Sequence, residues 1–357
     1  MKTKSDQKVE QSAGVDHRRR NVMKAMAGAA AVGAFAPGAL FAPGIARAQS
    51  KFRFKLGISL PVSHPNPKNL TLAVGKILEA TDGRLSIEVF PGGQLGSDTD
   101  MLSQVRSGAL EMFSTAGGVW GTLIPACSIN GLAFAWPNSE TLWAAYDGDL
   151  GGYLRKQFEP LGLVAQNKIW DHGFRMMTTG SKPITKPEDL AGLKFRVPNS
   201  PMAVSLFEML GASPTNINFG ELYTALQTGL VDGQENPAVL IEAGKLYEVQ
   251  KYCALTSHMW DGFWIVSNKS RWDSLPEDIR ATASRIFDEQ ADIERKELAE
   301  LSVSTIETLK GHGMVFNDVD PAPFREKLKT AGFYSKWKTS FGDEAWGLLE
   351  KYAGPLG

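Results

Sequence analysis

Residues 189–200 read Asp189-Leu-Ala-Gly-Leu-Lys-Phe-Arg-Val-Pro-Asn-Ser200. Apolar and polar side chains alternate over 193–197, which predicts a strand with one buried face. Pro198 ends this strand, and a helix is predicted over 200–210. Arg196 faces away from Phe195 and lies at the end of the strand. Open α/β sheets bind ligands at this edge, so the stretch predicts an α/β unit with an arginine near a ligand.

Strand and helix patterns also alternate along the rest of the chain. Strands are predicted over 52–56 and 85–89, and helices over 70–80, 98–107 and 219–227. This order is typical of α/β proteins with mainly parallel sheets. A length of 357 residues exceeds one ordinary core and suits two domains.

One predicted helix is unusually long. Ser274 and Glu277 have the spacing of a capping box, Pro276 falls in the first turn, and no Gly or Pro follows until Gly311. At 1.5 Å per residue, this stretch spans about 54 Å. We expect a helix of that length to run along both domains, although two helices with a kink would give the same pattern.

The first 48 residues differ in composition from the rest. A basic cluster around Arg19-Arg20 precedes a charge-free, Ala- and Gly-rich stretch that closes with Ala46-Arg47-Ala48. This arrangement indicates a cleaved export signal of the twin-arginine type, with cleavage near Ala48. A membrane anchor is the alternative. Export by this route predicts a periplasmic protein.

The net charge limits the classes of ligand, and the surroundings of the cysteines predict whether they form a disulfide. The formal net charge is −1, which gives no sign of nucleic-acid binding. The two cysteines, Cys127 and Cys253, lie in apolar surroundings and are predicted to be buried free thiols, with a disulfide as the alternative.

Common catalytic and metal-binding motifs are absent from the sequence. It contains no His-Glu-x-x-His, Gly-x-Ser-x-Gly or Cys-x-x-Cys pattern, and no glycine-rich phosphate loop after a strand. The histidines beyond the signal are not spaced as ligands on one element. We therefore predict no catalytic residues, no metal and no cofactor.

Arg196 is the candidate that the strand pattern itself provides. A guanidinium group can pair with a carboxylate through two parallel hydrogen bonds. A structural salt bridge at the surface would explain the same arginine, so the residue pattern leaves both readings open.

Residues 189–200, together with Tyr223-Thr-Ala-Leu-Gln-Thr-Gly-Leu-Val-Asp-Gly-Gln-Glu-Asn-Pro237, resemble the solute-binding proteins of tripartite ATP-independent periplasmic (TRAP) transporters. Residues 91–96 (Pro-Gly-Gly-Gln-Leu-Gly) and 274–278 (Ser-Leu-Pro-Glu-Asp) match further landmarks in order. The resemblance implies two α/β lobes that close on a ligand and a long helix that links them. It also implies delivery of the ligand to a membrane permease.

The resemblance assigns candidate ligand-binding residues. Arg196 matches the arginine that pairs with the ligand carboxylate, and Arg175 matches a second basic position that supports or joins it. Asn236 matches a hydrogen-bonding asparagine, and Phe219 an aromatic residue near the ligand. Weaker candidates are Asn199 and Glu221.

Four tryptophans give an indication of which type of carboxylic acid the cleft would bind. Trp120, Trp170, Trp260 and Trp264 fall in segments that face the cleft in this family. Aromatic walls favour an aromatic or aryl-substituted carboxylate, and a sugar acid or other hydroxy or keto acid is the alternative. Placement of these tryptophans in the core would remove this argument. His64, in the loop after the first strand, is a candidate for polar contacts at the far end of the ligand.

The lobes are predicted as 49–173 plus about 262–300, and 174–261 plus about 301–357. The predicted protein is a monomeric binding protein and not an enzyme. An exported enzyme and a protein that presents its ligand to a membrane sensor are the competing classes.

Overall fold

The structure is a computed structural model, and it describes residues 51–356. The predicted export signal lies outside the described residues, so its type and cleavage site stay predictions. Within the described range, no helix has both the length and the apolar character needed to cross a bilayer.

In residues 51–356, ten strands form one mixed sheet in the order β2-β1-β3-β9-β5-β8-β6-β7, with β4 and β10 also paired to β9. The strands are β1 Phe52–Ile58, β2 Leu85–Phe90, β3 Met112–Ala116, β4 Leu163–Ala165, β5 Trp170–Thr179, β6 Lys194–Val197, β7 Ser213–Asn216, β8 Gly233–Asn236, β9 Tyr252–Asn268 and β10 Val315–Asp318.

The described part of the chain also contains thirteen α-helices, and short 3₁₀ segments such as Pro125–Gly131 connect some of them. The helices are α1 Pro65–Ala80, α2 Asp98–Ser107, α3 Gly117–Trp120, α4 Ser139–Tyr146, α5 Asp149–Lys156, α6 Pro201–Met209, α7 Phe219–Gln227, α8 Ala238–Ala243, α9 Lys269–Asp273, α10 Glu277–Gly311, α11 Pro321–Thr330, α12 Phe333–Phe341 and α13 Asp343–Ala353.

Two long strands join the two halves of the sheet. The 17-residue β9 pairs with β5 over residues 252–263, with β10 at its beginning and with β3 and β4 at its end. β5 starts beside the end of β9 and finishes between β9 and β8. One half of the sheet therefore contains β1–β4 and the other β6–β8 and β10, which agrees with the predicted two-lobed α/β architecture.

The expectation of parallel strands holds within each half. β1 is parallel to β2 and β3, and β6 is parallel to β7 and β8. The crossing strands β5 and β9 are antiparallel to each other, and the pattern of alternating elements did not predict this. Their register shifts near Gly173, which has a φ of 98° that glycine tolerates.

The long helix is confirmed as α10, with 35 residues and a length of about 52 Å. It packs against α1 from one half of the molecule and α8 from the other. The predicted capping box is wrong: the N-cap is Pro276, and no side chain caps the helix. Glu277 and Asp278 lie in the first turn, where the helix dipole favours negative charge.

The first helix begins earlier than predicted. It starts at Pro65, so the stretch around His64 is the start of a helix and not an extended loop. His64 is the N-cap residue, and its Nδ1 accepts a hydrogen bond of 3.2 Å from the Asn66 amide. The two prolines, Pro65 and Pro67, are tolerated because the first-turn amides have no intrahelical acceptor.

The C-terminal helices depart from the predicted lobe boundaries. α13 packs against α4 and α5, which belong to the segment assigned to the other lobe. Lys351 and Tyr352 both bond to Asp149, at 2.5 and 2.6 Å. The contacts thus bring residues 343–353 next to 139–156, whereas the sequence-based boundaries separate them.

Both cysteines are free and buried, as predicted. Burial raises the pKa of Cys253 to about 12, so this thiol is protonated at neutral pH.

Candidate functional site

A small cavity lies where β5 and β9 cross between the two halves of the sheet. Its walls combine polar and apolar side chains. The polar ones are Ser59, Asp98, Thr115, His172, Arg175, Arg196, Asn236 and Asp261. The apolar ones are Leu60, Ala116, Val119, Pro198, Phe219, Leu240 and Phe263.

Arg196 is held by the middle strand of a three-stranded parallel unit. β6 pairs with β7 on one side and with β8 on the other. The side chain is 3% exposed, and its Nε donates a 2.8 Å hydrogen bond to the carbonyl oxygen of Ile217. Among residues 51–356, no carboxylate oxygen lies within 4.0 Å of the guanidinium. Arg196 is therefore a buried cation without a protein counter-ion in this range.

Burial lowers the pKa of Arg196 to about 10, although Glu235 and Asp98 oppose the shift. The group still carries its charge at neutral pH. An unpaired buried charge is expensive unless a ligand of opposite charge satisfies it. The two Nη groups remain available for such a ligand because only Nε is used by the protein.

Arg175, on the crossing strand β5, differs from Arg196 because the protein supplies its counter-ions. Its Nε and Nη2 bond to the carboxylate of Glu235, and Nη2 also donates to Asn236 Oδ1 at 2.8 Å. Nη1 donates to Asp261 Oδ2 at 3.3 Å. The guanidinium lines the cavity, but two protein carboxylates already surround it.

Glu235 is fully buried, and its ionisation depends on its neighbours. Burial alone would raise its pKa, but Arg175 and His258 bring the pKa down to about 2. His258 Nε2 lies 3.5 Å from Glu235 Oε2, and Nδ1 lies 2.8 Å from Thr256 Oγ1. Glu235 is thus a permanent carboxylate that holds Arg175 in place.

Asp261, near the middle of β9, also faces the cavity. Its Oδ1 accepts hydrogen bonds from Asn130 Nδ2 at 3.0 Å and from the Gly262 amide at 3.1 Å. Burial raises its pKa to about 7, with Arg175 acting in the other direction and Glu235 adding to the rise. Its charge therefore changes near neutral pH.

Asp98 brings a second carboxyl group to the cavity, from the first turn of α2. Thr115 Oγ1 donates to Asp98 Oδ1 at 3.2 Å. Burial raises the pKa of Asp98, and hydrogen bonds from Ser59 and Thr115 act against this shift. The cavity thus offers a cation on β6 and hydrogen-bonding oxygens on α2.

Asn236 and Phe219 both line the cavity. The Asn236 amide accepts from Arg175 and donates to Gln234 Oε1. Phe219 begins α7 and is half-buried.

Glu221 and Asn199 lie nearer the surface. Glu221 is exposed and lines an outer cleft together with Phe219 and Asp98. Asn199 Nδ2 donates to Thr99 Oγ1 at 3.2 Å, so it connects the end of β6 to α2. These two candidates do not line the inner cavity.

His64 lies behind the cavity wall and not on it. Its ring centroid is 5.2 Å from that of His172, which does line the cavity. Burial lowers the pKa of His64 to about 3, and burial also holds the pKa of His172 well below its usual value. Both imidazoles are therefore neutral at physiological pH.

The structure places the candidate tryptophans in the core and not on the cleft wall. Trp120 packs on Phe113 and Phe158, with ring centroids 5.7 and 5.2 Å away. Trp260 Nε1 donates to Asp171 Oδ1 at 2.8 Å. Trp170 and Trp264 are also fully buried, and none of the four lines the cavity. Packing against other large rings explains this placement.

Within residues 51–356, no cluster of three or more His, Cys, Asp or Glu side chains could hold a metal ion.

Comparison with known proteins decides the family. The family model for bacterial extracellular solute-binding proteins, family 7, matches residues 56–336. The chain belongs to this family. Its match spans both halves of the sheet and includes every residue that lines the cavity.

Similar proteins cover most of the chain. This chain is 32% identical over 251 residues to the 2,3-diketo-L-gulonate-binding periplasmic protein of Escherichia coli. The aligned region covers 70% of this chain and 76% of that protein. A TRAP periplasmic solute-binding protein from Sulfurospirillum deleyianum, solved with bound succinate, has a TM-score of 0.80 and 26% identity. That similarity covers 87% of this chain and 100% of the solved one.

One relative is much longer than this chain. An uncharacterized protein of Sinorhizobium fredii is 39% identical over 215 residues, which cover 58% of this chain. The chain spans 39% of the length of that relative.

Five polar residues that line the cavity were not among the predicted ligand-binding residues: Ser59, Asp98, Thr115, His172 and Asp261. Asp98 follows directly on the Pro91–Gly96 landmark and begins a helix with a Ser97 cap, so the glycine-rich turn was the available signal. Asp261 sits between aromatic residues in a long apolar strand. A lone carboxylate there was the signal for a functional or paired charge.

Proposed function

We propose that this chain is the solute-binding subunit of a TRAP transporter and that it captures a small acid with one carboxylate through Arg196. The unpaired, buried Arg196 guanidinium carries this proposal. The ligand carboxylate would accept from the two Nη groups, and Asn236 would donate a further hydrogen bond. Arg175 would act as a positioning residue, because Glu235 and Asp261 already satisfy it.

The lining favours a hydroxylated or keto acid over an aromatic acid. The preference for an aromatic acid rested on tryptophans that the fold buries elsewhere. Asp98, Thr115 and His172 supply polar groups away from Arg196, and such groups suit hydroxyl or carbonyl oxygens. The ligand named for one relative, the diketo sugar acid 2,3-diketo-L-gulonate, carries one carboxylate together with hydroxyl and carbonyl oxygens.

Ligand capture would involve closure of the two halves about β5, β9 and α10, which cross between them. We keep the predicted lobes as a proposal, with residues 343–353 moved to the lobe that contains α4 and α5. The hydrogen bond between Asn199 and Thr99, which is present in this structure, links the end of β6 to α2 and would help to hold the two halves together.

We further propose that the protein works as a non-enzymatic monomer in the periplasm and docks on a membrane permease. Export would use Arg19-Arg20. Replacement of both by lysine should retain the precursor in the cytoplasm, and unchanged export of that variant would contradict the twin-arginine assignment.

A thermal-shift screen of residues 49–357 against small carboxylates tests the proposal. A ligand at 100 times its Kd adds about 2.7 kcal/mol of stability, which raises Tm by a few degrees for a chain of this size. Sugar acids, hydroxy acids, keto acids and aromatic acids form the panel, with the corresponding amides and neutral sugars as controls.

Arg196→Ala is the matched variant. Loss of a buried, charge-assisted pair should weaken binding by about 2–5 kcal/mol, or roughly 30-fold to several thousand-fold in Kd. A folded Arg196→Ala variant that loses tenfold or less in affinity would contradict the role of Arg196. Stabilisation by neutral sugars but by no carboxylate would contradict the ligand class.

A further inference from the structure

Two arginines line the cavity, and of these only Arg196 has no carboxylate oxygen within 4.0 Å among residues 51–356. Nη1 is the one nitrogen of Arg175 that bonds neither Glu235 nor Asn236, and it donates to Asp261 at 3.3 Å. Glu235 and Asp261 therefore occupy all three nitrogens of Arg175 together with Asn236. A ligand with two carboxylates would find a counter-ion at Arg196 and none at Arg175.

Asp261 is fixed in this position by neighbours that do not face the ligand. Asn130, which is fully buried in the 3₁₀ segment Pro125–Gly131, donates to its Oδ1, as does the Gly262 amide. The other oxygen, Oδ2, is the one that faces Arg175. Rotation of the carboxylate away from the cavity would break these bonds, so the negative charge cannot move aside cheaply.

A second carboxylate on the ligand would also approach Asp98. Asp98 and Asp261 both line the cavity and come from different elements, α2 and β9. Like charges brought together in a partly desolvated site repel strongly, and this repulsion discriminates between ligands.

We propose that Asp261, held by Asn130, makes this cavity select acids with one carboxylate over acids of the same size with two. The inference rests on the proposed function, because it presumes that an acid binds at Arg196. It adds a residue that determines specificity by excluding a second negative charge. Removal of that charge should free Nη1 of Arg175 for a dicarboxylate.

Matched ligand pairs test this directly. Succinate and succinamate differ by one carboxylate replaced by an amide, and glucarate and gluconate differ by one carboxylate replaced by a hydroxymethyl group. Kd values are measured by calorimetry at pH 8, where Asp261 is ionised, for the wild type, Asp261→Asn and Asp149→Asn. Asp149 pairs with Lys351 at the surface and serves as the control for loss of one negative charge.

In the wild type, the mono-anion of a pair should bind at least tenfold more tightly than the di-anion. Asp261→Asn keeps the shape of the side chain and should reduce this ratio to threefold or less, mainly by tighter binding of the di-anion. Asp149→Asn should leave the ratio unchanged.

The proposal is overturned if the wild type binds the di-anion as tightly as the mono-anion, or if a folded Asp261→Asn variant keeps the wild-type ratio. The first criterion uses only the wild-type chain, so it holds even if the variant does not fold. If the wild type binds no member of either pair while the carboxylate screen above gives hits, selectivity is retested on the mono-acid hit and its own dicarboxylate analogue, with the same two criteria. If no carboxylate binds at all, the proposed function itself fails, and the selectivity proposal fails with it.

Discussion

Arg175 and Arg196 lie in the same cavity and are equally buried, yet the protein treats them differently. Two carboxylates and an amide surround Arg175. Arg196 donates one hydrogen bond to a backbone carbonyl and has no counter-ion among residues 51–356. The paired arginine belongs to the crossing strand β5, and the unpaired one to β6 in one half of the sheet.

The difference shows that the protein can supply counter-ions to one buried arginine of a cavity and supply none, among residues 51–356, to another. A buried charge whose partners come from the protein stabilises or at least preserves the fold when all partners are present. A buried charge without a partner destabilises the free protein, and a ligand can recover that cost on binding. The presence or absence of carboxylate partners, and not residue type or burial, therefore distinguishes Arg175 from Arg196.

The largest expected effect is the loss of stability in Arg175→Met. This substitution leaves Glu235 as a buried carboxylate without its cation and removes the partner of Asp261. Breaking a buried pair on one side typically costs about 3–5 kcal/mol. Urea unfolding of the ligand-free protein should show this decrease in the free energy of unfolding.

The double variant Arg175→Met/Glu235→Leu is the control for this prediction. It removes both charges, so it should regain a substantial part of the lost stability. Equal stability of Arg175→Met and the wild type would show that Arg175 and Arg196 do not differ in the way that the structure indicates.

Part of this comparison could be predicted from the sequence. The alternating pattern with Pro198 after it placed Arg196 on a strand, and the family resemblance selected Arg196, Arg175, Asn236 and Phe219, which all line the cavity. The absence of Gly and Pro before Gly311 predicted the long helix within two residues. These features depend on local sequence, which fixes strand faces and helix ends.

The saturation of Arg175 could not be predicted in the same way. Its carboxylate partners are 60 and 86 residues away along the chain, on β8 and β9. Only the antiparallel pairing of β5 with both strands brings them together. The expectation that tryptophans line the cleft did not hold for a related reason. Trp120 and Trp260 lie next to cavity-lining residues in sequence, but their rings are buried in the core.

A second prediction extends the comparison to a buried acid. Asp171 resembles Arg196, since it accepts hydrogen bonds from Trp260 and the Gly173 amide but has no cation within 4.0 Å among the described residues. Burial raises its pKa from 3.8 to about 6, against these hydrogen bonds. The protonated form is favoured in the folded state, so its contribution to stability is complete below about pH 4 and is lost as the pH rises to about 6 and above.

Asp171→Asn should remove this dependence, because the amide oxygen can accept the same hydrogen bonds and does not titrate. At pH 7 the variant should be more stable than the wild type by on the order of 2–3 kcal/mol, and at pH 4 the two should be equal. Urea unfolding from pH 4 to pH 8 measures the difference. A difference that does not vary with pH would contradict the prediction.

The smallest expected effect is the most direct comparison of the two arginines. Arg196→Met removes a buried charge without a counter-ion, which should stabilise the free protein, and also removes the hydrogen bond to Ile217, which should destabilise it by about 1 kcal/mol. The flexible methionine side chain fills similar space. We therefore expect a free energy of unfolding within about 1 kcal/mol of the wild type or above it, in contrast to the large loss in Arg175→Met.

Unfolding in urea with and without a carboxylate found in the screen separates the effect of Arg196 on the free protein from its effect on ligand binding. The wild type should gain stability from the ligand, and Arg196→Met should gain none. A loss of 3 kcal/mol or more in the ligand-free variant would mean that Arg196 is a structural arginine like Arg175, and the cavity would then lack the free cation on which carboxylate binding depends.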